Sequence, residues 1–359
     1  MFSFHKDVIG TEQFLLLDNN GKAGSWRESI QEDAYLYSEA LKDNHCLDTI
    51  LKLSATKINF NIPIEYQKAA KYIFGTNVIR WKHILPKYVF ERSLRDFITQ
   101  VVVSNFEGVL PYYESTWGHI NRFLSTLQPF ATLADPEMKI VKYDRLSTRT
   151  GRLIVQDGHR ILTMPREERK FIKTNNSFEK FYIDFIALEP TIIARLVNAD
   201  FDSEDLYVHL SNKFLNSVDR TQAKKIIVSS IYGANSDNHK SDIAKIIYDW
   251  FQIDQFASSI RNKAINNKII NFYGKYILSD KINDDGCIIN DFIQSTAVDA
   301  AIYGFESICD LYALNPLAII HDAIIVEDKK QKLYDGLINN IIVPGIGKLY
   351  FKVTSLNHE

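Results

Sequence analysis

The stretch PLAIIHDAIIVED, residues 316–328, restricts the fold more than any other part of this 359-residue chain. Leu317–Ile320 and Ala323–Val326 are two apolar runs of four, each too short for a helix of its own, separated only by His321 and Asp322. Apolar runs of that length read as buried strands, and a polar pair between them belongs at a tight bend. The spacing therefore predicts a hairpin with buried flanks and His321–Asp322 at its tip. A second apolar strand, FYIDFIAL at 181–188, carries Asp184 near its end. Glu189 follows five residues later, and Pro190 suits the first turn of a helix. Taken singly, Asp184 reads equally as a capping carboxylate and His321–Asp322 as ordinary turn residues. Taken together, two carboxylates at the ends of buried strands can meet on neighbouring strands of one sheet. Such a pair could hold Mg²⁺, which binds one or two carboxylates and takes its other ligands from water and phosphate.

The remainder of the chain agrees with a mixed architecture. Residues 1–58 show no dominant pattern. From about 64 to 127 apolar residues recur every three or four, as in VFERSLRDFITQVVVSNF, which predicts several helices. LQPFATLADPEM (127–138), with two prolines, predicts a loop or domain edge. MKIVKY, GRLIV and FEKFYIDFIAL read as extended segments, polar helices follow through 203–270, and IVPGIGKLYFKVTSL reads as a strand returning to the sheet. Strands at both ends with helices between them predict an α+β fold.

Composition narrows the function classes. The chain is 46% hydrophobic and 24% charged with a net charge of −2, so no global basic field marks it as a nucleic-acid binder. A basic groove on a neutral protein remains compatible with that balance. Cys46, Cys287 and Cys309 stand far apart without a C-x-x-C pair, which predicts neither a disulfide framework nor a zinc site, and a reducing compartment. The N-terminus interrupts its apolar residues with His5, Lys6 and Asp7 and lacks a signal-peptide core. No run approaches the length of a membrane span. A soluble, cytoplasmic protein with no membrane partner is expected.

The segment DRTQAKKIIVSSIYG, 219–233, supplies the cations. Each step of four in a helix advances roughly 40° around the axis, so Arg220, Lys224, Val228 and Tyr232 form one drifting stripe. Ala223, Ile226 and Ile227 point elsewhere and could face a core. By itself this is an amphipathic surface helix with Gly233 as its stop. Beside two carboxylates it could offer cations to a triphosphate.

These segments resemble the family A DNA polymerases, the bacterial DNA polymerase I family. Asp184-x4-Glu189 resembles the family's motif A, Arg220-x3-Lys224-x7-Tyr232-Gly233 its motif B or O-helix, and His321-Asp322 its motif C, in the family's order. YDRLSTRTGRL (143–153) is similar to the segment ending in Thr-Gly-Arg, MPREERKFI (164–172) to the stretch leading into motif A, and Asn290-x3-Gln294-Ser-Thr-Ala-x-Asp299 to the helix that reaches the primer–template minor groove. The resemblance covers roughly 143–359. It implies a right-hand polymerase fold with an antiparallel-sheet palm (143–202 and 286–359), helical fingers (203–285) and a helical thumb (59–142). Residues 1–58 are left without an assigned role.

The resemblance implies template-directed DNA synthesis with two Mg²⁺ ions bound by Asp184 and Asp322. Arg220 and Lys224 would hold the nucleotide triphosphate, with Tyr207 where many relatives carry His. Glu189 and Tyr232 would pack beneath the sugar and select deoxynucleotides. Arg152, Gly233, Asn290, Gln294 and His321 would meet primer–template DNA. Partners implied are primer–template DNA, deoxynucleoside triphosphates and further replisome proteins. The compact form, with little room ahead of the thumb for an exonuclease domain, implies an enzyme without proofreading. That compactness and the Asn-, Lys- and Ile-rich composition fit a phage source. Two departures stand out: Ala323 follows Asp322 where the family has Glu, and Val228 stands where many members carry an aromatic. The rivals are a single-subunit RNA polymerase, which lacks Glu189 and the Thr-Gly-Arg segment, and a non-catalytic DNA-binding replisome scaffold, favoured only by Ala323.

Overall fold

The strand segments pair into several antiparallel sheets, the largest of five strands. A computed structural model describes residues 2–4, 14–17, 23–26, 64–65, 68–69, 86, 89, 109, 111–232, 242–265, 267–279 and 281–356. Its strands are β1 (Phe2–Phe4), β2 (Phe14–Leu17), β3 (Ala23–Trp26), β4 (Lys142–Asp144), β5 (Ile154–Asp157), β6 (Glu179–Phe185), β7 (Lys268–Ile270), β8 (Tyr276–Leu278), β9 (Leu314–Ile320), β10 (Ala323–Asp328), β11 (Ile338–Val343) and β12 (Gly347–Ser355). Its α-helices are α1 (Gly118–Leu124), α2 (Arg166–Arg169), α3 (Leu188–Leu196), α4 (Leu206–Phe214), α5 (Arg220–Tyr232), α6 (Asp242–Trp250), α7 (Ile253–Asn262) and α8 (Asp285–Tyr312).

The chain divides into two units, residues 1–118 with 274–276, and residues 119–273 with 277–359. In the first, β1, β2 and β3 form an antiparallel sheet in that order, with Phe2 opposite Leu17 and Phe14 opposite Trp26. Most of the helices expected between 64 and 108 lie outside the described residues.

The second unit is built on a five-stranded sheet in the order β11-β12-β6-β10-β9, with every pairing antiparallel. The two apolar runs of 316–328 are β9 and β10, joined through His321 and Asp322 as the spacing predicts. The C-terminal segment 342–356 returns to the sheet as β12, which inserts beside β6, and β11 precedes it as the other arm of a hairpin. FEKFYIDFIAL is extended only to Phe185; Ala187 turns left-handed at φ 50 and starts α3, with Pro190 in its first turn.

Side chains alternate across the sheet with period two. Phe181, Ile183 and Phe185 of β6, Ile324 and Val326 of β10, and Phe351 and Val353 of β12 join the main core with α3, α5 and α8. The opposite face carries Ile325, Ala318 and Ile320, which bury against Phe130, Val141, Ile161 and Ile172. Asp184 belongs to this second face, directly opposite Ala323 on β10 and Lys352 on β12.

The 28-residue α8 begins on Asp284, whose carboxylate accepts the Cys287 N–H at 3.0 Å, and ends on left-handed Ala313, passing straight into β9. It crosses the sheet at Gly304, where an added Cβ would stand 2.5 Å from the ring of Phe185. That ring is buried and stacks on Phe305 with centroids 5.2 Å apart, so it has nowhere to retreat. Replacing Gly304 with Val is expected to destabilise the protein by about 1–3 kcal/mol through overpacking. The measurement is the urea midpoint; an unchanged midpoint would show that the sheet and α8 are not in contact there.

Candidate active site

The β9–β10 turn has two residues, because Ile320 pairs with Ala323. His321 takes the left-handed φ of 57, a conformation that glycine adopts freely and other residues adopt at a cost of about 1 kcal/mol or more. The buried strands on both sides hold it there and leave His321 and Asp322 exposed at the tip. Phe185 N–H donates to the Asp322 carbonyl at 3.1 Å, which binds the end of β6 to the turn. Asp184, one residue earlier, is half-buried. Its carboxyl is pushed up to about 7, first by burial and then by the negative charge of Asp322. Arg166, Lys224 and Arg220 oppose that rise, so the cations of α2 and α5 reach Asp184 electrostatically.

Arg152, Glu189, Gln294, His321 and Asp322 line one cleft of about 100 Å³. The Tyr232 hydroxyl donates to Glu189 Oε2 at 3.0 Å, and Arg152 Nη2 lies 3.6 Å from Glu189 Oε1. Burial and the Glu189 carboxylate hold the Tyr232 hydroxyl well above its ordinary pKa, so it stays a donor. Asp184 does not line this cleft. It opens onto a neighbouring pocket, so the two carboxylates flank the ends of the central strands from different hollows.

Helix α5 presents the expected stripe. Arg220 and Lys224 are exposed, Val228 and Tyr232 half-buried, while Ala223, Ile227 and Ile231 enter the core. Ile226, expected inside, is only half-buried. Arg220 is ion-paired with Asp205, the N-cap of α4, and its guanidinium lies 5.3 Å from the ring centre of buried Tyr207. Val228 packs on the core. The Gln294 amide donates to Asn290 one turn earlier at 2.8 Å; only Gln294 of the two lines the cleft. Gly233 lies outside the described residues. Gly286 of α8 approaches the C-terminal end of α5, where an added Cβ would meet the Tyr232 carbonyl at 2.5 Å.

Several supporting residues escaped the sequence reading. The loop carrying Arg152 is braced by Arg145 to Asp299 and by Arg149 to Asp291 at 2.7 Å, both carboxylates fully buried on α8. The Tyr143 hydroxyl accepts from Ile319 N–H at 2.8 Å and donates to Ile319 C=O at 2.7 Å, fixing the strand two residues before His321. Arg and Asp in YDRLSTR and in the 290–299 helix carried the signal, but pairing across 142 and 154 positions leaves no local pattern. Asp205 was legible as a cap in SEDLY, though not as the partner of Arg220. Asp135 and Glu137, an Asp-x-Glu pair ahead of β4, are both ion-paired with Lys139 and line neither hollow.

Among the described residues no group of three or more His, Cys, Asp or Glu surrounds a common point. A cation here would have two carboxylates and would draw its other ligands from water or substrate oxygens. That donor set suits Mg²⁺, and the mutual repulsion that raises Asp184 is what a cation would relieve.

No protein-family model matches the chain. No curated protein matches it. Among solved structures, the polymerase domain of Pol1 from M. smegmatis in complex with DNA primer-template and dNTP is similar, with a TM-score of 0.42 and 13% sequence identity over 84% of this chain. The chain spans 60% of the length of that one.

The raised Asp184 makes a signed statement about stability. Below about pH 4 the carboxyl is protonated in folded and unfolded chains alike. Between about 4 and 7 the unfolded chain has released its proton and the folded one has not, so stability falls as pH rises. In EDTA, Asp184→Asn is expected to be more stable than the parent at pH 8 by at least about 1 kcal/mol, with the difference vanishing near pH 4. Urea melts at both pH values check this; a pH-independent difference contradicts it.

Proposed function

We propose that the chain is a template-directed DNA polymerase of the family A type, adding deoxynucleotides to a primer 3′-hydroxyl. The observation that supports this most is the convergence of Asp184, Asp322, Glu189, Tyr232 and the α5 cations, drawn from segments separated by up to 138 residues. In this reading the five-stranded sheet with α3 and α8 serves as palm and α4–α7 as fingers. The thumb and the role of residues 1–58 fall on segments lying mainly outside the described residues.

Asp184 and Asp322 would hold two Mg²⁺, which when bound supply Lewis-acid stabilisation of the oxygens at the reacting phosphorus. The 3′-hydroxyl oxygen bonds to the α-phosphorus while the bond to the pyrophosphate oxygen breaks. The protein's own share is positioning and charge. Lys224, exposed and within electrostatic reach of Asp184, holds the triphosphate with Arg220, whose guanidinium is fixed by its ion pair with Asp205. Tyr207, beneath Arg220, supports that guanidinium through its ring. The Tyr232–Glu189 hydrogen bond closes the floor beneath the sugar and excludes a 2′-hydroxyl. Arg152, Gln294 and His321 line the cleft where the primer terminus would lie, with Asn290 steadying Gln294. Val228 puts an aliphatic side chain at the position of this stripe where many members of the family carry an aromatic. No proofreading activity is part of this reading.

Asp184→Asn and Asp322→Asn are each expected to lower single-turnover primer extension by at least about 10²–10³-fold with primer–template affinity retained. A parent chain that binds primer–template and extends no primer would instead support a DNA-binding scaffold, and extension at parental rate by Asp322→Asn would remove Asp322 from the metal site. Glu189→Ala is expected to raise ribonucleotide over deoxynucleotide incorporation by at least about tenfold, the worth of one well-placed steric or polar contact. A sugar preference unchanged in that variant would overturn the role of Glu189.

A further inference from the structure

The second hollow, onto which Asp184 opens, has a volume of about 510 Å³ and is lined by three cations, Arg166, Lys170 and Lys352. They come from two sides. Arg166 and Lys170 belong to the turn of α2 and the residue after it, and Lys352 stands on β12 directly opposite Asp184. Among the described residues, the side chains of the three make no ion pair and no hydrogen bond. Arg166 is held in place by its guanidinium lying 5.7 Å from the centre of the Tyr182 ring. Arg169 lies 5.5 Å from the same ring and donates to the Met164 carbonyl, which ties down the turn that carries Arg166. Thr354, two residues beyond Lys352 on the same face, adds a hydroxyl that makes no hydrogen bond among the described residues.

Guanidinium and ammonium groups that line one hollow and form no ion pair among the described residues are a receptor for phosphoryl oxygens, although Asp184 and Glu167 share the lining. The hollow has room for two phosphoryl groups and accompanying water, since one water occupies about 30 Å³ in the liquid. A nucleic-acid backbone, with one charge per phosphate spread along a strand, calls for cations in a row. Here the cations converge, which matches a compact ion of high charge. Glu167 and Asp184 also line the hollow and offset part of the positive charge, so a singly charged ion would gain little there.

We propose that this hollow is an inorganic pyrophosphate site, in which Arg166, Lys170 and Lys352 hold the released diphosphate beside Asp184, apart from the α5 cations that hold the nucleotide. The role of the ion as product rests on the polymerase reading; the site itself does not. Lys170 and Lys352 are exposed, so their replacement leaves the core intact.

The test is a titration of the full chain with inorganic pyrophosphate in EDTA, in parent, Lys170→Gln/Lys352→Gln and Lys224→Ala forms. The double variant is expected to bind pyrophosphate at least about tenfold more weakly, since a hydrogen bond to a charged group is worth about 1.5–3 kcal/mol. Lys224→Ala is expected to stay within about threefold of the parent, and pyrophosphate inhibition of primer extension should weaken in the double variant alone. Equal affinity in parent and double variant, or an equal loss in Lys224→Ala, would overturn the site. So would a double variant that keeps pyrophosphate affinity and loses primer–template affinity, which would assign the cations to a nucleic-acid backbone. A chain that binds pyrophosphate here yet extends no primer would sink the polymerase reading and leave the site standing.

Discussion

The antiparallel register of β6 against β10 is the constraint on which the site depends. Phe181, Ile183 and Phe185 fill the helical side of the sheet, and this fixes which residues of β6 point the other way. A slip of one residue would drive Asp184 into the apolar core and expose three aromatic or aliphatic side chains. Burial of those side chains therefore holds a carboxylate at the end of a central strand beside the His321–Asp322 turn. The same register places Ala323 on one side of Asp184 and Lys352 on the other, so its cross-strand neighbours supply no second negative charge.

Such an arrangement is stable only because the surroundings over-determine it. Asp184 is raised by burial and by Asp322, and His321 holds an unfavourable backbone angle. The first cost sits near the end of β6, and the second between two strands, β9 and β10, whose residues are almost wholly buried. The loop leading to Arg152 is tied to α8 through Arg145–Asp299 and Arg149–Asp291. Buried pairs of this kind contribute little net stability relative to an apolar replacement, but they are costly to break, so they act on geometry. One long helix thus sets the height of Arg152, Gln294 and, through Gly286 and Gly304, the ends of α5 and β6.

Much of this was legible in the residues. The polar pair between two apolar runs gave the hairpin, Asp184 gave a strand-end carboxylate, and the four-residue spacing of Arg220, Lys224, Val228 and Tyr232 gave a helix face. Each rests on a local period or a local break in one. Strand β12 was legible, but its hairpin partner β11 was not, because half-buried β11 lacks a clear alternation. The partition of the site into two hollows could not be read, since it depends on which side of the central strand ends each carboxylate faces. Neither could the engagement of Arg220 with Asp205, or the arrival of Arg166 and Lys352 around Asp184.

The sequence by itself determined the elements and the chemistry each could carry: buried strands ending in carboxylates, a cationic helix face, and an α+β order. Periodicity and short-range sterics act within a few residues, so one chain read in order suffices for them. Tertiary structure decided which charges meet. Asp184 faces Lys352 across a strand pair and Asp322 across a turn, contacts separated by 168 and 138 positions. Only the packing of the sheet against α8 selects those pairings, because the burial that fixes register belongs to all the strands together.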